Sequence, residues 1–257
     1  MTQTLHIFHA GVVKKQVGEA IQRFRRLRPA IEVNAWAGGS VECARRALSG
    51  EPCDILILAD DQLFPLLLDQ LCDWRRIFAG NRMVLQATHA DAPLNKDNWL
   101  QILTDPKTRI GHFDPLADPG GYRAVISCQL AEYVRPGLGR FLLDKPNRRV
   151  IRHGQEHEVD YIIYYYTAAR QEANLPFVLL PEVMDLSSEA LADIYATARV
   201  ELAEGQVVRG TPIGHALAIM KSSPQPELAQ SFCDEFLNCD FAAAGFIPRS
   251  ALVHSGN

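Results

Sequence analysis

The chain has 257 residues, 47% hydrophobic and 22% charged, with a formal net charge of -4. That is enough to bury a full core, as one large domain or as two lobes of ordinary size. It is too acidic to offer the broad basic surface that neutralises a nucleic-acid backbone, so nucleic acid is excluded as a partner. No apolar run nears the roughly 20 residues that cross a bilayer, the longest stretches lying around Ile55–Leu58 and Phe177–Leu180, and a soluble protein is expected.

The opening MTQTLHIFHAG enters an apolar strand at once, without the basic region, long apolar stretch and small-residue cleavage site of a secretory signal. This fits a secreted protein whose signal has been removed, or one made without a signal. LHIFHAG predicts a first strand and loop. A helix follows from about Val13 to Leu27, with Val17, Ala20, Ile21, Phe24 and Leu27 forming one apolar stripe, and Pro29 stops it. IEVNAWA is a second strand, GGS a turn into a helix through Cys43, Ala44 and Leu48, and DILILA a third strand. In such a βαβαβ order, helix starts near Gly11 and Ser40 gather at the carboxyl edge of one sheet.

A second set begins near Met83: strand MVLQAT, helix DNWLQILTD, strand RIGHF, loop DPLADPGGYRA, then a helix through Ile126, Leu130 and Tyr133. Later come the apolar run YIIYYY, helix TAARQEA, strand FVLLP, and a return through PIGHALAIM to helix ELAQSFCDEFL. The alternation predicts an α/β protein with mainly parallel strands and covering helices. No repeat or flexible linker separates the two sets, so crossing strands are expected to join two lobes.

Two N-terminal loops, HAGVV and AGGSVECARR, place small residues between a strand and a helix. Backbone N–H groups and the helix dipole can face an anion there, with Ser40 adding a hydroxyl, or the turn is simply a helix cap. ADPGGYRA repeats the layout, with Gly120 and Gly121 permitting close backbone approach. Carboxylates beside such a cradle repel an anion, two like charges about 4 Å apart costing roughly 4 kcal/mol at an effective dielectric of 20. Asp118 is then a turn residue before Pro119 and Glu182 a helix-start carboxylate, unless the bound centre is a metal that accepts oxygen ligands. His6 and His9 read as sharing one strand face, as structural histidines in the absence of a completing ligand. Tyr164, Tyr165 and Tyr166 read as core and cleft wall. Arg23, Arg25, Arg26 and Arg28 read as a solvated helix face.

The six cysteines lack paired CxxC spacing and read mostly as buried small hydrophobes. One or two disulfides are the alternative, with Cys233 and Cys239 the nearest pair. No Walker loop, Rossmann fingerprint, GxSxG elbow or Ser–His–acid order is present.

Taken together, FHAGVV, AGGSVECARR, DILILADDQLFPLL, NRMVL, LNKDNWLQILTDPKTRIGHFDPLADPGGYRA, EVDYIIYYYTAARQEANLPFVLLPEV and TPIGHALAIMKSSPQPELAQSF resemble the molybdate/tungstate-binding proteins of ABC importers, in their archaeal-type branch. The resemblance runs from the first strand to about Phe246, and the DNW…DPxGYR stretch is its most specific part. It implies a two-lobed periplasmic-binding-protein-like (type II) α/β fold, each lobe a mainly parallel sheet flanked by helices. Lobe 1 would hold residues 1–82 and 210–257, lobe 2 residues 83–209, with the ligand in the cleft between them. It further implies that Gly11, Val12, Ser40, Gly120 and Tyr164, the backbone included, contact the oxyanion with His215, while Asp118 and Glu182 add carboxylate oxygens to its metal and make it six-coordinate. Sulfur in sulfate cannot expand its coordination in this way.

Two positions depart from the family pattern. Val12 stands where serine is usual, a loss of about 1–3 kcal/mol if nothing replaces the hydroxyl, and His215 stands where tyrosine is common. The resemblance implies a periplasmic or cell-surface monomer that delivers molybdate or tungstate to ABC permease subunits, with no organic cofactor and no catalysis. Two alternatives stand beside it. One is a cytoplasmic sensor of the same anion; the other is an enzyme on the same fold, for which Cys43 and His9 are the candidate nucleophile and base.

Overall fold

A computed structural model describes residues 3–202 and 205–254. The chain divides into two compact units, Met1–Gly80 with Gly214–Asn257, and Asn81–Ile213. It passes between them at 80/81 and 213/214, against 82/83 and 209/210 in the sequence reading.

The first unit opens with strand β1 (Thr4–Ala10), a 3-10 turn over Gly11–Val13, helix α1 (Lys14–Leu27), β2 (Glu32–Gly38), α2 (Ser40–Leu48), β3 (Ile55–Leu58) and β4 (Trp74–Gly80). β1 pairs parallel with both β2 and β3, as two helical crossovers require. The Ile-Leu-Ile-Leu run of β3 is buried throughout, because a strand covered on both faces needs apolar residues at every position, not alternate ones. On α1, Val17, Ala20 and Phe24 are buried, whereas Leu27 is exposed and leaves the expected stripe one turn short.

The second unit starts with β5 (Met83–Ala87), α3 (Trp99–Thr104), β6 (Ile110–Phe113), α4 (Pro119–Leu130), α5 (Leu138–Asp144), β7 (Arg148–Ile151) and β8 (Tyr161–Tyr165). It continues with α6 (Tyr166–Ala169), β9 (Phe177–Leu179), α7 (Glu182–Asp185), α8 (Ala192–Tyr195) and a two-stranded ribbon of β10 (Arg199–Glu201) and β11 (Val207–Arg209). Its main sheet has the order β7-β6-β8-β5-β9. Nearly every residue of α4 is buried, which marks it as the central helix, since a helix apolar all round has no solvent face. Arg123 on α4 is wholly buried, and its guanidinium donates to the carbonyl and hydroxyl of Thr211 at 3.0 Å each, the pairing that a buried charge needs. The chain then returns to the first unit through β12 (Gly214–Ile219), α9 (Pro226–Leu237) and β13 (Ile247–His254). This completes the sheet order β13-β4-β12-β3-β1-β2, and Phe24 of α1 packs edge-on against Phe232 of α9 at 5.5 Å.

Both sheets are mixed and not mainly parallel. β12 pairs antiparallel with β3 and β4, β13 with β4, and β5 with β8 and β9. The first strand of each new passage, β5 or β12, is the reversed one. It arrives without a helical crossover, which is the device that makes neighbouring strands parallel.

Three further expectations are corrected. PGGYRA is the first turn of α4 and not a loop: Asp118 is its N-cap and Pro119 its first residue, the positions each favours. Tyr133 falls in a separate 3-10 turn. The cysteines, by contrast, are as first read: all six are free and buried, Cys233 and Cys239 included, and the disulfide alternative falls away. Arg23 is not on a solvated face, for its guanidinium bonds the Glu235 carboxylate and carbonyl on α9 and the Cys239 thiol.

Gly121 and Gly18 make opposite demands. A Cβ on Gly121 would lie 2.7 Å from the Asp114 carbonyl carbon, while at Gly18, inside α1, it would meet nothing within 4 Å. Gly121→Ala should therefore cost about 1–3 kcal/mol through overpacking, and Gly18→Ala should gain about 0.5–1 kcal/mol of helix propensity. Denaturant melts of the two variants check both signs.

Candidate functional site

In the first unit the parallel strands β1, β2 and β3 end together. Ala10 is level with Gly38 and His9 with Ile57, so the Gly11–Val13 turn, Gly39–Ser40 and Ala59 follow one sheet edge. Gly11 is exposed and Val12 half-buried. Neither the Gly11–Val13 turn nor α1 or α2 has a side-chain cap. Ser40 is the first residue of α2, after Gly39 as N-cap, and it does not cap the helix. Its buried hydroxyl instead accepts from the Ala59 amide at 2.9 Å. That bond uses an acceptor lone pair and leaves the O–H to donate. The loop is held from below by Trp36, whose ring occupies the space where Gly38 would carry a Cβ. Arg46 covers that ring at 4.0 Å while pairing with Glu51.

Antiparallel β12 begins at the same edge, with Ala216 opposite Leu58. The His215 ring is fully buried between Phe78 (6.2 Å) and Phe246 (5.3 Å), within an aromatic cluster of this unit. His9 is also buried, its Nδ1 3.0 Å from the Ala10 carbonyl, and burial lowers its pKa from the usual 6.5. His6 and His9 do not share a face, because side chains alternate along a strand and positions three apart oppose each other. Burial raises the Cys43 thiol to about 12, which leaves it protonated at neutral pH.

In the second unit, β6, β7 and β8 run parallel and their ends bring together residues far apart in sequence. Asp118 is mostly buried, its side chain 14% exposed. The Gly120 amide donates to its Oδ1 at 2.6 Å, and its Oδ2 lies 3.3 Å from Nε2 of His153. The Tyr164 ring takes the space of a Gly120 side chain and meets Phe113 edge-on at 4.5 Å. His153 stacks on the other side of this group, its ring 4.0 Å from that of Phe113. Burial first, and then the Asp118 charge, hold the Tyr164 hydroxyl well above its usual pKa of 10.

Asp118, Gly120 and Tyr164 are thus in mutual contact, with Phe113 and His153 as members that sequence reading missed. Glu182 follows the end of β9, whose Leu179 is in register with Val84 and, across it, Tyr164. The Glu182 carboxylate is exposed, and its carbonyl accepts from the Tyr195 hydroxyl at 2.6 Å. Among the described residues no group of three or more His, Cys, Asp or Glu is placed to hold a metal ion.

Two α/β units with mixed sheets, each carrying helix starts and polar side chains along a strand edge, are the architecture of solute-binding proteins. The chain belongs to the bacterial extracellular solute-binding protein family, whose pattern matches residues 5–238. A solute-binding protein of Petrotoga mobilis is 32% identical over 90% of this chain and 78% of its own length. The molybdate/tungstate-binding protein WtpA of Pyrococcus abyssi is 28% identical over 90% of this chain and 79% of its own. Among solved structures, the periplasmic molybdate-binding protein of Azotobacter vinelandii aligns with TM-score 0.71 at 18% identity, covering 95% of this chain and 99% of that one. The sulfate-binding protein SubI of Mycobacterium tuberculosis aligns with TM-score 0.68 at 14% identity, covering 96% and 87%. Such similarity at low identity shows the fold, and the fold serves more than one anion. Among the described residues no helix is long and apolar enough to cross a membrane.

The His153–Asp118 contact has a pH signature. The hydrogen bond to Asp118 raises the His153 pKa above 6.5, against the opposing effect of partial burial. A raised folded pKa means that the contact stabilises the folded chain fully below about pH 6.5 and that this contribution fades as pH climbs through the raised value. NMR titration of the His153 ring should therefore show a midpoint above 6.5 that falls toward it in Asp118→Asn.

Proposed function

We propose that this protein captures molybdate or tungstate and delivers it to an ABC permease, and that it is not an enzyme. The observation that carries this reading is the Asp118 carboxylate, held at a strand edge in contact with Gly120. A simple tetrahedral anion is repelled there, whereas a molybdenum or tungsten centre takes a carboxylate oxygen as an added ligand. Support comes from WtpA of Pyrococcus abyssi and from a second WtpA, of Thermococcus kodakarensis, which is 26% identical over 89% of this chain.

In this reading Ser40 donates its remaining O–H, and the Gly11–Val12 turn offers backbone N–H groups at the start of α1. Asp118 and Glu182 supply the carboxylate oxygens. Gly120 acts through Asp118, because its amide is engaged by that carboxylate, and Tyr164 fixes Gly120 from above. His215, seated among phenylalanines where β12 begins, supports that edge. Val12 lowers affinity by the one hydroxyl it lacks. A buried, protonated Cys43 and a buried, neutral-tending His9 do not make a nucleophile and base. The protein works as an extracytoplasmic monomer that carries no organic cofactor.

Isothermal titration of dialysed protein with molybdate, tungstate and sulfate tests the proposal. The two metal oxyanions should bind and sulfate should bind far more weakly. Asp118→Ala and Glu182→Ala should each weaken the metal oxyanions by about tenfold or more, as even outer partners of metal ligands are worth about 10–100-fold. Heat from sulfate alone, or affinities indifferent to both substitutions, would refute the carboxylate-ligand reading.

A further inference from the structure

We infer that His153 is the positioning residue of the second unit's site: it clamps the Asp118 carboxylate in the orientation that a metal oxyanion requires, and so separates metal oxyanions from sulfate. The inference rests on the proposed ligand role of Asp118 and adds a residue that the sequence motifs did not point to.

The geometry is that of a two-point clamp. Asp118 Oδ1 is fixed by the Gly120 amide at 2.6 Å and Oδ2 faces His153 Nε2 at 3.3 Å. With one contact a carboxylate still turns about its last side-chain bond; with one contact on each oxygen it does not. Each oxygen has more than one acceptor site, so Oδ2 can receive a hydrogen bond from the ring and still bond a metal.

The clamp is itself supported. The His153 ring lies flat on Phe113, with centroids 4.0 Å apart and planes 28° apart, and meets Tyr164 edge-on at 6.3 Å. Its other nitrogen, Nδ1, is 3.9 Å from the Glu156 carboxylate. The ring plane is thus set by the two aromatic residues that enclose the Asp118–Gly120 turn, Tyr164 being the one that covers Gly120. His153 fills no core: its side chain is 64% exposed, and the contacts it makes are the Phe113 and Tyr164 rings and the carboxylates of Asp118 and Glu156. A histidine that orients a ligating carboxylate is an outer partner of the kind that tunes metal affinity.

The discrimination follows from what each anion asks of Asp118. A metal that bonds to the carboxylate is sensitive to its orientation. Sulfate, which is only repelled by that charge, gains nothing from the clamp.

The test is a double-substitution cycle on the whole chain at one fixed pH, titrating molybdate, tungstate and sulfate into the parent protein, His153→Ala, His153→Gln, Asp118→Ala and the Asp118→Ala/His153→Ala pair. His153→Ala should weaken the metal oxyanions by about 10-fold or more. His153→Gln, which keeps an N–H donor, should restore most of that loss, and sulfate affinity should not change. In the Asp118→Ala background, His153→Ala should have no further effect, since the ring acts only through the carboxylate. X-ray absorption of bound molybdenum should show a coordination number that falls in His153→Ala and recovers in His153→Gln, a change that general destabilisation does not produce.

A parent protein that binds metal oxyanions and loses them in Asp118→Ala but not in His153→Ala overturns this inference alone. An equal loss from His153→Ala with and without Asp118 overturns it too, showing a separate role for the ring. A parent protein that binds neither metal oxyanion removes both this inference and the reading on which it rests. Should His153→Ala fail to fold, His153→Gln and His153→Asn carry the comparison, with retention in Gln and loss in Asn expected and equal retention refuting the clamp.

Discussion

A strand that is followed by a covering helix must turn at its carboxyl end, and parallel pairing then stacks those turns along one edge. The polar residues of this chain are organised by that constraint. In the first unit, β1, β2 and β3 end in line and present Gly11, Ser40 and Ala59 together. In the second, the ends of β6, β7 and β8 gather Asp118, His153 and Tyr164 from separate parts of the chain. The reversed strands obey the same geometry from the other side. Because β5 and β12 run antiparallel to their neighbours, their first residues, not their last, reach these edges.

The two edges share a further device. At each, a glycine sits beneath an aromatic ring, Gly38 under Trp36 and Gly120 under Tyr164. Only a residue without a side chain admits the ring, and the ring in turn removes freedom from a backbone that glycine would otherwise leave loose. The last residue of β2 and the first turn of α4 are in this way stiffened where each meets its sheet edge. Their electrostatics differ, however. The first edge carries uncapped helix starts and a hydroxyl, while the second carries a carboxylate held by an amide and an imidazole.

The parts of this design written in local pattern were readable from sequence. Periodicity placed α1, α2 and α9, the unbroken apolar run of DILILA placed β3, and Gly/Ser turns marked the loops at Gly11 and Ser40. Strand direction was not readable, since it depends on whether a helix intervenes and on which strand the chain returns to. β4 (WRRIFAG) and β7 (RRVI) were missed because their charged residues break the apolar signal that marks a strand. With β7 went His153, which follows it and which nothing in its own neighbourhood distinguishes. The glycines of PGGYRA read as loop because their usual meaning is a turn; here Gly121 is demanded by the close approach of α4 to the end of β6. At Asp118 the cap and the ligand had looked like rival explanations. The structure provides the cap, and a capping carboxylate keeps lone pairs for another partner.

The buried thiols have a consequence for the life of the molecule outside its site. Cys43, Cys53, Cys72 and Cys128 are each pushed up to about 12 by burial, and Cys233 and Cys239 are raised by the same cause. Thiolate is the species that reacts with oxidants and with other disulfides, so these side chains are chemically silent at neutral pH once the core has closed. With every cysteine free and buried, no oxidation step belongs to the fold of this chain, and its thiols are most open to redox chemistry while it is still unfolded.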